Sequence, residues 1–375
     1  MGSGASRKPN EPGSTGPDLD SADIPILPAA DAEPSKDGSE GCAGCSIPDA
    51  EDRAITVQQL QELVKHIEAQ IKKEVWVAPG AVKPVKLKAK SVNLYDVVAR
   101  LVKPATEARR CSYVELVAVG PQRTRWFVSH WWGEPVFHFV SCVVKHSEQR
   151  RLGLDSTYWV CAYANNQWDL AYDLAATPAE SSFRRALDVA DGTLSILDDA
   201  AIAYSRVWCN YEMFVTLEKA QVTSHLFDIY TFHQHQPRGI TDGISEGDKR
   251  GSSWWWEDRK WNREKNFPVK LAEAAMRAQV QCAEASVDKD RISILNAIVG
   301  ADVNQTPPLE HERYDFVNST LHARFALATL KLAVENELPL ENYIRVISRS
   351  HTSRVDLSFR QCSWQPAGPG AFRSQ

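Results

Sequence analysis

The amino-acid sequence predicts an α/β fold in which a parallel sheet is covered by helices on both faces. Residues 124–232 alternate between short apolar runs and segments of helical periodicity, the pattern of strand and helix repeats. The runs are apolar throughout, as in strands that are buried on both faces. The chain has 375 residues, 43% of them apolar, with 12 Trp, so it can bury the core of one large or two ordinary domains.

The strands and helices of this unit follow in order from residue 124. Strands are predicted at 124–131, 156–164, 192–198 and 224–232. Helices are predicted between them at 134–150, with Pro135 near the first turn, at 181–190 after a Ser cap, and at 205–220. Ligands bind beyond the carboxyl ends of parallel strands, so we expect a site in the loops SHWWGE, NNQWDLAYDLAATPAE and DDAAIAY.

Further segments extend this unit at both ends. Residues 56–77 carry apolar side chains at spacings of three and four, which predicts an amphipathic helix that either docks on the main domain or pairs with another copy. Residues 112–119 (SYVELVAV) predict a strand. A long Trp-rich loop is predicted at 243–268, as a lid, a partner-binding patch or a core plug. Helices follow at 268–283, 287–299 (capped by Ser286) and 311–336.

These segments divide the chain into five parts. They are a disordered acidic tail (1–55), a helix with connector and strand (56–120), the α/β domain (121–236), the Trp-rich loop with a helical extension (237–350) and a second tail (351–375).

Charge and cysteine usage narrow the class of function. The net charge is −5, but residues 1–55 hold eleven Asp/Glu against four Lys/Arg, about −7, which leaves the remainder near +2. No basic surface that would indicate nucleic-acid binding follows from these totals. The eight cysteines are scattered, no secretory segment is visible, and no apolar run approaches the length of a membrane helix. We therefore expect a reducing, cytoplasmic location.

The N-terminus carries a pattern for lipidation. MGSGAS matches M-G-x-x-x-[ST] and predicts N-myristoylation of Gly2, with Arg7 and Lys8 beside it. One acyl chain gives only reversible attachment, so the basic pair or palmitoylation of Cys42 and Cys45 would complete a peripheral contact at the inner face of a membrane. Metal binding is not predicted, because the C-x-x-C pair lacks the further ligands of a zinc site.

Glu212 is the leading candidate for chemistry. In the helix predicted at 205–220 it lies at the edge of an apolar arc, four residues after Trp208. A carboxyl group beside an indole is partly desolvated, which raises its pKa and suits it to acid/base work or to contact with a ribose hydroxyl. The alternatives are a salt bridge to Arg206 or an exposed position on the helix flank.

The loops at the strand ends supply candidate ligand contacts. Ser129 and His130 are adjacent on a strand, so their side chains point to opposite faces and do not form a nucleophile-base pair. Gly133 permits a tight turn, while one of Trp131 and Trp132 packs and the other stacks on a planar ligand. The amides of Asn165 and Asn166 suit either hydroxyls and carbonyls of a ligand or a turn.

Residues 124–232 resemble a TIR domain, the flavodoxin-like module of innate-immune proteins, some of which cleave NAD. The first strand ends in a Ser-containing turn, WFVSHWWGE, and LSILDDAAIAYSRVWCNYEMF matches the strand and helix that carry the family signature. The specific part of the match is Ser205, Trp208, Cys209 and Glu212, with Val207 inserted relative to the commonest plant form. The resemblance is to a divergent, protist-style TIR-like protein.

The resemblance implies a flavodoxin-like sheet and a role for each candidate. Glu212 falls on the family's catalytic glutamate, which contacts the nicotinamide-side ribose and stabilises the oxocarbenium-like charge. The first hypothesis is therefore an NAD-cleaving hydrolase with NAD as substrate, no cofactor and no metal. Its substrate-binding residues would be the strand-end and motif residues Ser129, His130, Trp131, Trp132, Gly133, Asn165, Asn166, Ser205 and Trp208.

Two other functions are compatible with the same sequence. One is a non-catalytic, membrane-tethered scaffold that forms homo-oligomers through the TIR-like surface or helix 56–77, so that tethering raises its effective concentration. The other is a nucleotide or nucleoside hydrolase or transferase that uses the same cleft for a different substrate.

Overall fold

A computed structural model describes residues 44–73, 76, 86–175 and 177–335. The predictions for Gly2, for Cys42 and for the tail at 351–375 lie outside these residues. The prediction of a disordered tail is wrong for residues 44–55, because they contain a short 3-10 turn at Ala50–Asp52 and the side chain of Ile47 is fully buried.

The fold is α/β, with one mixed sheet flanked by helices. Its six strands are β1 (Ile55–Thr56), β2 (Trp126–His130), β3 (Thr157–Trp159), β4 (Gly192–Leu197), β5 (Leu226–His233) and β6 (Gln236–Ile240). Their order in the sheet is β1-β3-β2-β4-β5-β6. The four central strands are parallel, as predicted, whereas β1 and β6 pair antiparallel at the two edges.

Helices of varied length surround the sheet. They are α1 (Val57–Lys73), α2 (Leu94–Val97), α3 (Lys103–Thr106), α4 (Tyr113–Val117), α5 (Val136–Arg150), α6 (Cys161–Ala164), α7 (Leu170–Leu174), α8 (Ser182–Val189), α9 (Val207–Val222), α10 (Trp256–Glu264), α11 (Val269–Ala275), α12 (Asp288–Val299) and α13 (Glu312–Glu335). None of the helices in the described ranges is long and apolar enough to cross a lipid bilayer.

The central strands are buried on both faces, which explains their continuous apolar runs. Every residue of β2 and β4 is buried. Phe127 packs in a core with α8, α9 and the C-terminal helices, whereas its neighbours Trp126 and Val128 pack in a second core with α1, α2, α4 and α5. Successive side chains of a strand point to opposite faces of the sheet, so they pack in two separate cores. Leu60 of α1 belongs to the second core, so this helix docks on its own chain.

A buried ionic network joins α5 to β5. Asp228 accepts hydrogen bonds from His146 at 3.0 Å and from Arg150 at 2.8 and 2.6 Å, and its side chain is fully buried. Burial opposes the charge, but the hydrogen bonds from His146 and Arg150 outweigh it and hold the pKa of Asp228 well below its usual range. The network fixes α5 against the sheet.

Several predicted elements differ from the structure. The strand predicted at 156–164 ends at Trp159 and is followed by α6, and the helix predicted at 268–283 ends at Ala275. The strand predicted at 112–119 is instead the helix α4 (Tyr113–Val117), because Ser112 and Glu115 make a capping box: each side chain accepts from the other's backbone N–H, at 3.3 and 2.9 Å. Ser286 does not cap α12, whose N-cap is Val287; instead it accepts a hydrogen bond from Arg206 at 2.9 Å.

The Trp-rich segment is also more regular than the predicted loop. It contains α10, preceded by a 3-10 turn at Ser253–Trp255. Trp254 and Trp255 are 88% and 58% exposed, so these two indoles are not a core plug. The same segment lines a depression of about 330 Å³, formed by Gly243, Ile244, Glu257, Lys260, Trp261 and Glu264.

Candidate functional site

The candidate site lies at the carboxyl edge of the parallel strands. Ser129 is the penultimate residue of β2, and Cys161 opens α6 two residues after the end of β3. Beyond β4 the chain makes a 3-10 turn and enters α9, whose first two turns carry Cys209 and Glu212. Parallel strands bring their carboxyl ends to one edge, so residues that are up to 83 positions apart (129 and 212) meet there.

Glu212 is buried rather than exposed on the helix flank. Its exposure is 4%, and burial raises the pKa of its carboxyl to about 8, an effect that the nearby Ser129 hydroxyl partly opposes. The predicted desolvation is therefore confirmed. Among the described residues no ion pair involves Glu212, and Arg206 donates instead to Ser286.

Ser129 and Glu212 leave polar atoms without partners. Ser129 Oγ lies near both the Glu212 carboxyl and the Cys209 thiol, close enough to influence their pKa values. Within the described part of the chain, however, Ser129 Oγ and Glu212 Oε2 are buried with no hydrogen-bond partner. Most buried polar atoms in folded proteins are paired, so two unpaired atoms in one cluster require an explanation.

Two thiols flank the carboxyl group. Burial raises the pKa of Cys161 to about 12, and the Trp132 indole N–H donates to its Sγ at 3.1 Å. Burial also raises the pKa of Cys209, whose Sγ lies 3.8 Å from the His130 carbonyl oxygen. The charge of Glu212 acts on both thiols, which places all three groups in one cluster. Cys161 was not predicted as a site residue, although its position just after β3 was a usable signal.

The SHWWGE loop contacts this cluster through Trp132. Trp131 packs against the core that contains α9, and a Cβ at Gly133 would overlap the Trp131 indole, so the close approach of that ring requires glycine. Trp132 packs instead on the other core and reaches Cys161. Both indoles therefore pack, each on a different core, whereas the sequence predicted that only one of them packs. The stacking of the other indole on a planar ligand stays a prediction.

His130 lies on the opposite face of the sheet from Ser129, as predicted. Its ring packs on Phe139 of α5 with ring centroids 4.7 Å apart. Burial lowers the pKa of His130 to about 4, so the ring is neutral at neutral pH. It cannot act as a base for Ser129 in this arrangement.

The remaining predicted residues have structural partners of their own. Asn165 accepts a hydrogen bond from Ser182 at 2.8 Å. Asn166 donates to the Arg110 carbonyl and accepts from the Trp168 backbone N–H, at 2.8 and 3.0 Å. Each of these amides thus has a role in its own loop.

Ser205 and Trp208, the two other residues of the motif, also have partners within the fold. Ser205 donates to the Ile202 carbonyl at 2.7 Å, which closes the turn before α9. The Trp208 ring stacks on Phe183 with centroids 5.2 Å apart. The structure therefore brings together Ser129, Trp132 and Glu212 of the predicted set, with Cys161 and Cys209.

The cluster is not arranged for a metal ion. Over residues 44–73, 76, 86–175 and 177–335, no three His, Cys, Asp or Glu side chains are grouped so that they could hold one. Comparison of the chain with family models, with curated proteins and with solved structures finds no match. The geometry of the site is therefore the basis for any functional inference.

Proposed function

We propose that this chain is a TIR-like signalling protein that hydrolyses NAD at the nicotinamide-ribose bond, with Glu212 as the catalytic glutamate. The observation that carries the proposal is the pair of buried, unpartnered atoms, Ser129 Oγ and Glu212 Oε2, at the carboxyl edge of the parallel strands. A ligand hydroxyl between them would satisfy both atoms. Unsatisfied polar groups of this kind are typical of binding and catalytic sites.

The strand order supports the same proposal. Counted along the chain from β2, the four parallel strands lie in the order 2-1-3-4, which is the order of the first four strands of a flavodoxin-like sheet. In that topology the ligand crevice lies where the order reverses, between the first and third strands. Here these are β2 and β4, which lead to Ser129 and, through α9, to Glu212.

The chemistry requires a carboxylate near the ribose. The bond between C1′ and the nicotinamide nitrogen breaks, and its electron pair leaves with the neutral nicotinamide. The ionised Glu212 stabilises the positive charge that develops on the ribose. A water oxygen then bonds to C1′ and loses a proton, so the products are nicotinamide, ADP-ribose and one proton.

The protonation state of Glu212 would then limit the rate. With a pKa of about 8, the buried carboxyl is mostly neutral at pH 7, which is the wrong form for charge stabilisation. The positive nicotinamide ring favours ionisation once it is bound. The value of kcat/KM, which reports the free enzyme, should therefore rise with pH up to about 8.

The test is an NAD turnover assay on the wild-type chain and Glu212→Gln. Gln keeps the size of the side chain but cannot ionise, so we expect turnover to fall on the order of 100-fold or more. Glu218→Gln, on the same helix and partly exposed, is the matched control and should retain full activity. Equal turnover in the wild type and Glu212→Gln would refute the assignment.

The closure of the site supports a second candidate, the non-catalytic scaffold. Ser129 and Glu212 are both almost fully buried, so no substrate reaches them in this conformation. The scaffold hypothesis predicts no NAD turnover and a molecular mass that increases with concentration in light scattering. A constant monomeric mass together with NAD turnover would exclude it.

A further inference from the structure

Two serines of the chain follow basic residues at both the third and the second position before them. Ser112 ends the run RRCS (residues 109–112), and Ser252 ends the run KRGS (residues 249–252). One large class of protein kinases selects serines with this pattern, because charge complementarity to an acidic substrate groove sets its specificity. The pattern is short, so the exposure of each serine in the folded chain decides whether a kinase could reach it.

Ser112 is closed to such an enzyme. The residue is fully buried, and its hydroxyl oxygen accepts the Glu115 backbone N–H at 3.3 Å as the N-cap of α4. Transfer of a phosphoryl group to this oxygen would require the start of α4 to unfold. Ser112 therefore has a structural role, in spite of the two arginines before it.

Ser252 lies on the surface, directly before the 3-10 turn Ser253–Trp255. The residue is exposed, and its hydroxyl makes no capping hydrogen bond to the turn. Its backbone is extended, with φ −64° and ψ 142°, and kinases bind the residues around an acceptor serine in extended form. Ser253 is already part of the 3-10 turn, so Ser252 is the better presented of the two hydroxyls.

The two basic residues before Ser252 are also accessible. Lys249 and Arg250 are both exposed. Lys249 Nζ donates to Glu246 Oε1 at 2.6 Å, but an ion pair between exposed side chains contributes little and exchanges readily. Both cations can therefore face an acidic groove while Ser252 enters the catalytic site of a kinase.

An arginine of α10 lies beside this segment. A Cβ placed on Gly251, the residue before Ser252, would be 3.6 Å from Arg259 Nη2. Arg259 Nη1 donates to the Asp248 carbonyl at 3.4 Å, so the guanidinium is held against the backbone that leads to Ser252. A phosphate next to a guanidinium gains charge-assisted hydrogen bonds, which join an exposed segment to the helix that carries the arginine.

We propose that Ser252 is a phosphorylation site for a protein kinase that selects basic residues, and that Arg259 pairs with the phosphate. In the reaction Ser252 Oγ bonds to the γ-phosphorus of ATP, and the bond from that phosphorus to the bridging oxygen breaks. Its electron pair leaves with ADP, and the hydroxyl proton goes to a base of the kinase. The inference does not depend on the NAD hydrolysis proposed above.

The experiment treats the full chain with ATP and the catalytic subunit of cyclic-AMP-dependent protein kinase, an enzyme of this class. Peptide mass spectrometry then locates the phosphate, which we expect on Ser252 and not on Ser112. Ser252→Ala should lose this phosphate, whereas Ser253→Ala, which removes the adjacent hydroxyl, should keep it. Absence of phosphate from Ser252 in the folded chain, or an equal amount on Ser253, overturns the inference.

Phosphorus NMR of the phosphorylated chain tests the pairing with Arg259. The second pKa of a free phosphoserine is about 6, and a neighbouring guanidinium lowers it because it favours the dianion. We expect Arg259→Gln to raise this pKa by roughly half a unit, the size of one partly exposed ion pair. Arg277→Gln, which removes an exposed cation from another segment, is the control and should leave it unchanged. An equal pKa in the wild type and Arg259→Gln would overturn the role of Arg259.

Discussion

Replacement of Glu212 by Gln should change how the stability of the fold depends on pH. The carboxyl has a pKa of about 8 in the folded chain, raised by burial from the value of 4.5 expected for an exposed carboxyl. Between these two values the folded state keeps a proton that the unfolded state has lost. Stability is therefore greatest below pH 4.5 for this group and falls as pH rises toward 8.

The size of the effect follows from the difference in pKa. Each pH unit inside this window changes the free energy of unfolding by about 1.4 kcal/mol for one group. From pH 5 to pH 7 the wild type should lose roughly 2.5 kcal/mol through Glu212 alone. Gln has no titratable proton, so the Glu212→Gln chain lacks this loss and gains the same amount relative to the wild type.

The assay is urea unfolding of both chains at pH 5, 6 and 7, followed by circular dichroism. Other groups titrate in the same range, so the quantity to compare is the difference between the two chains at each pH. Glu218→Gln controls for the loss of a carboxylate from α9. A difference that stays constant from pH 5 to pH 7 would refute the burial of a neutral carboxyl at position 212.

Three further changes test the fold. Asp228→Asn removes the charge that pairs with Arg150, and should lower the free energy of unfolding by about 3–5 kcal/mol in urea melts; a cost below about 1 kcal/mol would contradict a buried network. Arg151→Gly should stabilise by about 0.5–1 kcal/mol, because Arg151 ends α5 in the left-handed region at φ 53°. Arg151→Ala is its control and should bring no gain. Gly133→Ala should destabilise the fold by about 1–3 kcal/mol, because the new Cβ overlaps the Trp131 indole. The measurement is the melting temperature, and an unchanged value would contradict the overlap.

The central strands could be predicted from the sequence, but the edges of the sheet could not. The strands β2 and β4 are continuous apolar runs because both of their faces are buried. Strand β1 has only two residues, too few to show a period. Strand β6 reads QPRGI, with no apolar pattern, and its place depends on pairing with β5, where Ile240 lies opposite Ile229. Such edge strands depend on tertiary context rather than on their own residues.

The candidate site likewise contains residues whose placement could be predicted from the sequence and residues whose placement could not. The burial of Glu212 follows from helical periodicity, and the separation of Ser129 from His130 follows from strand alternation, so both could be predicted. Cys161 comes from a segment whose periodicity says nothing about the cluster. Only the alignment of the strand ends brings it there.

The edges of the sheet restrict how copies of this chain could associate. Strand β1 is too short to template another strand, and β6 carries Pro237, which has no N–H to offer a neighbour. Addition of a strand from a second copy is therefore disfavoured at both ends. As far as the described strands are concerned, copies brought to high local concentration would associate through side-chain surfaces, which differs from strand-mediated aggregation.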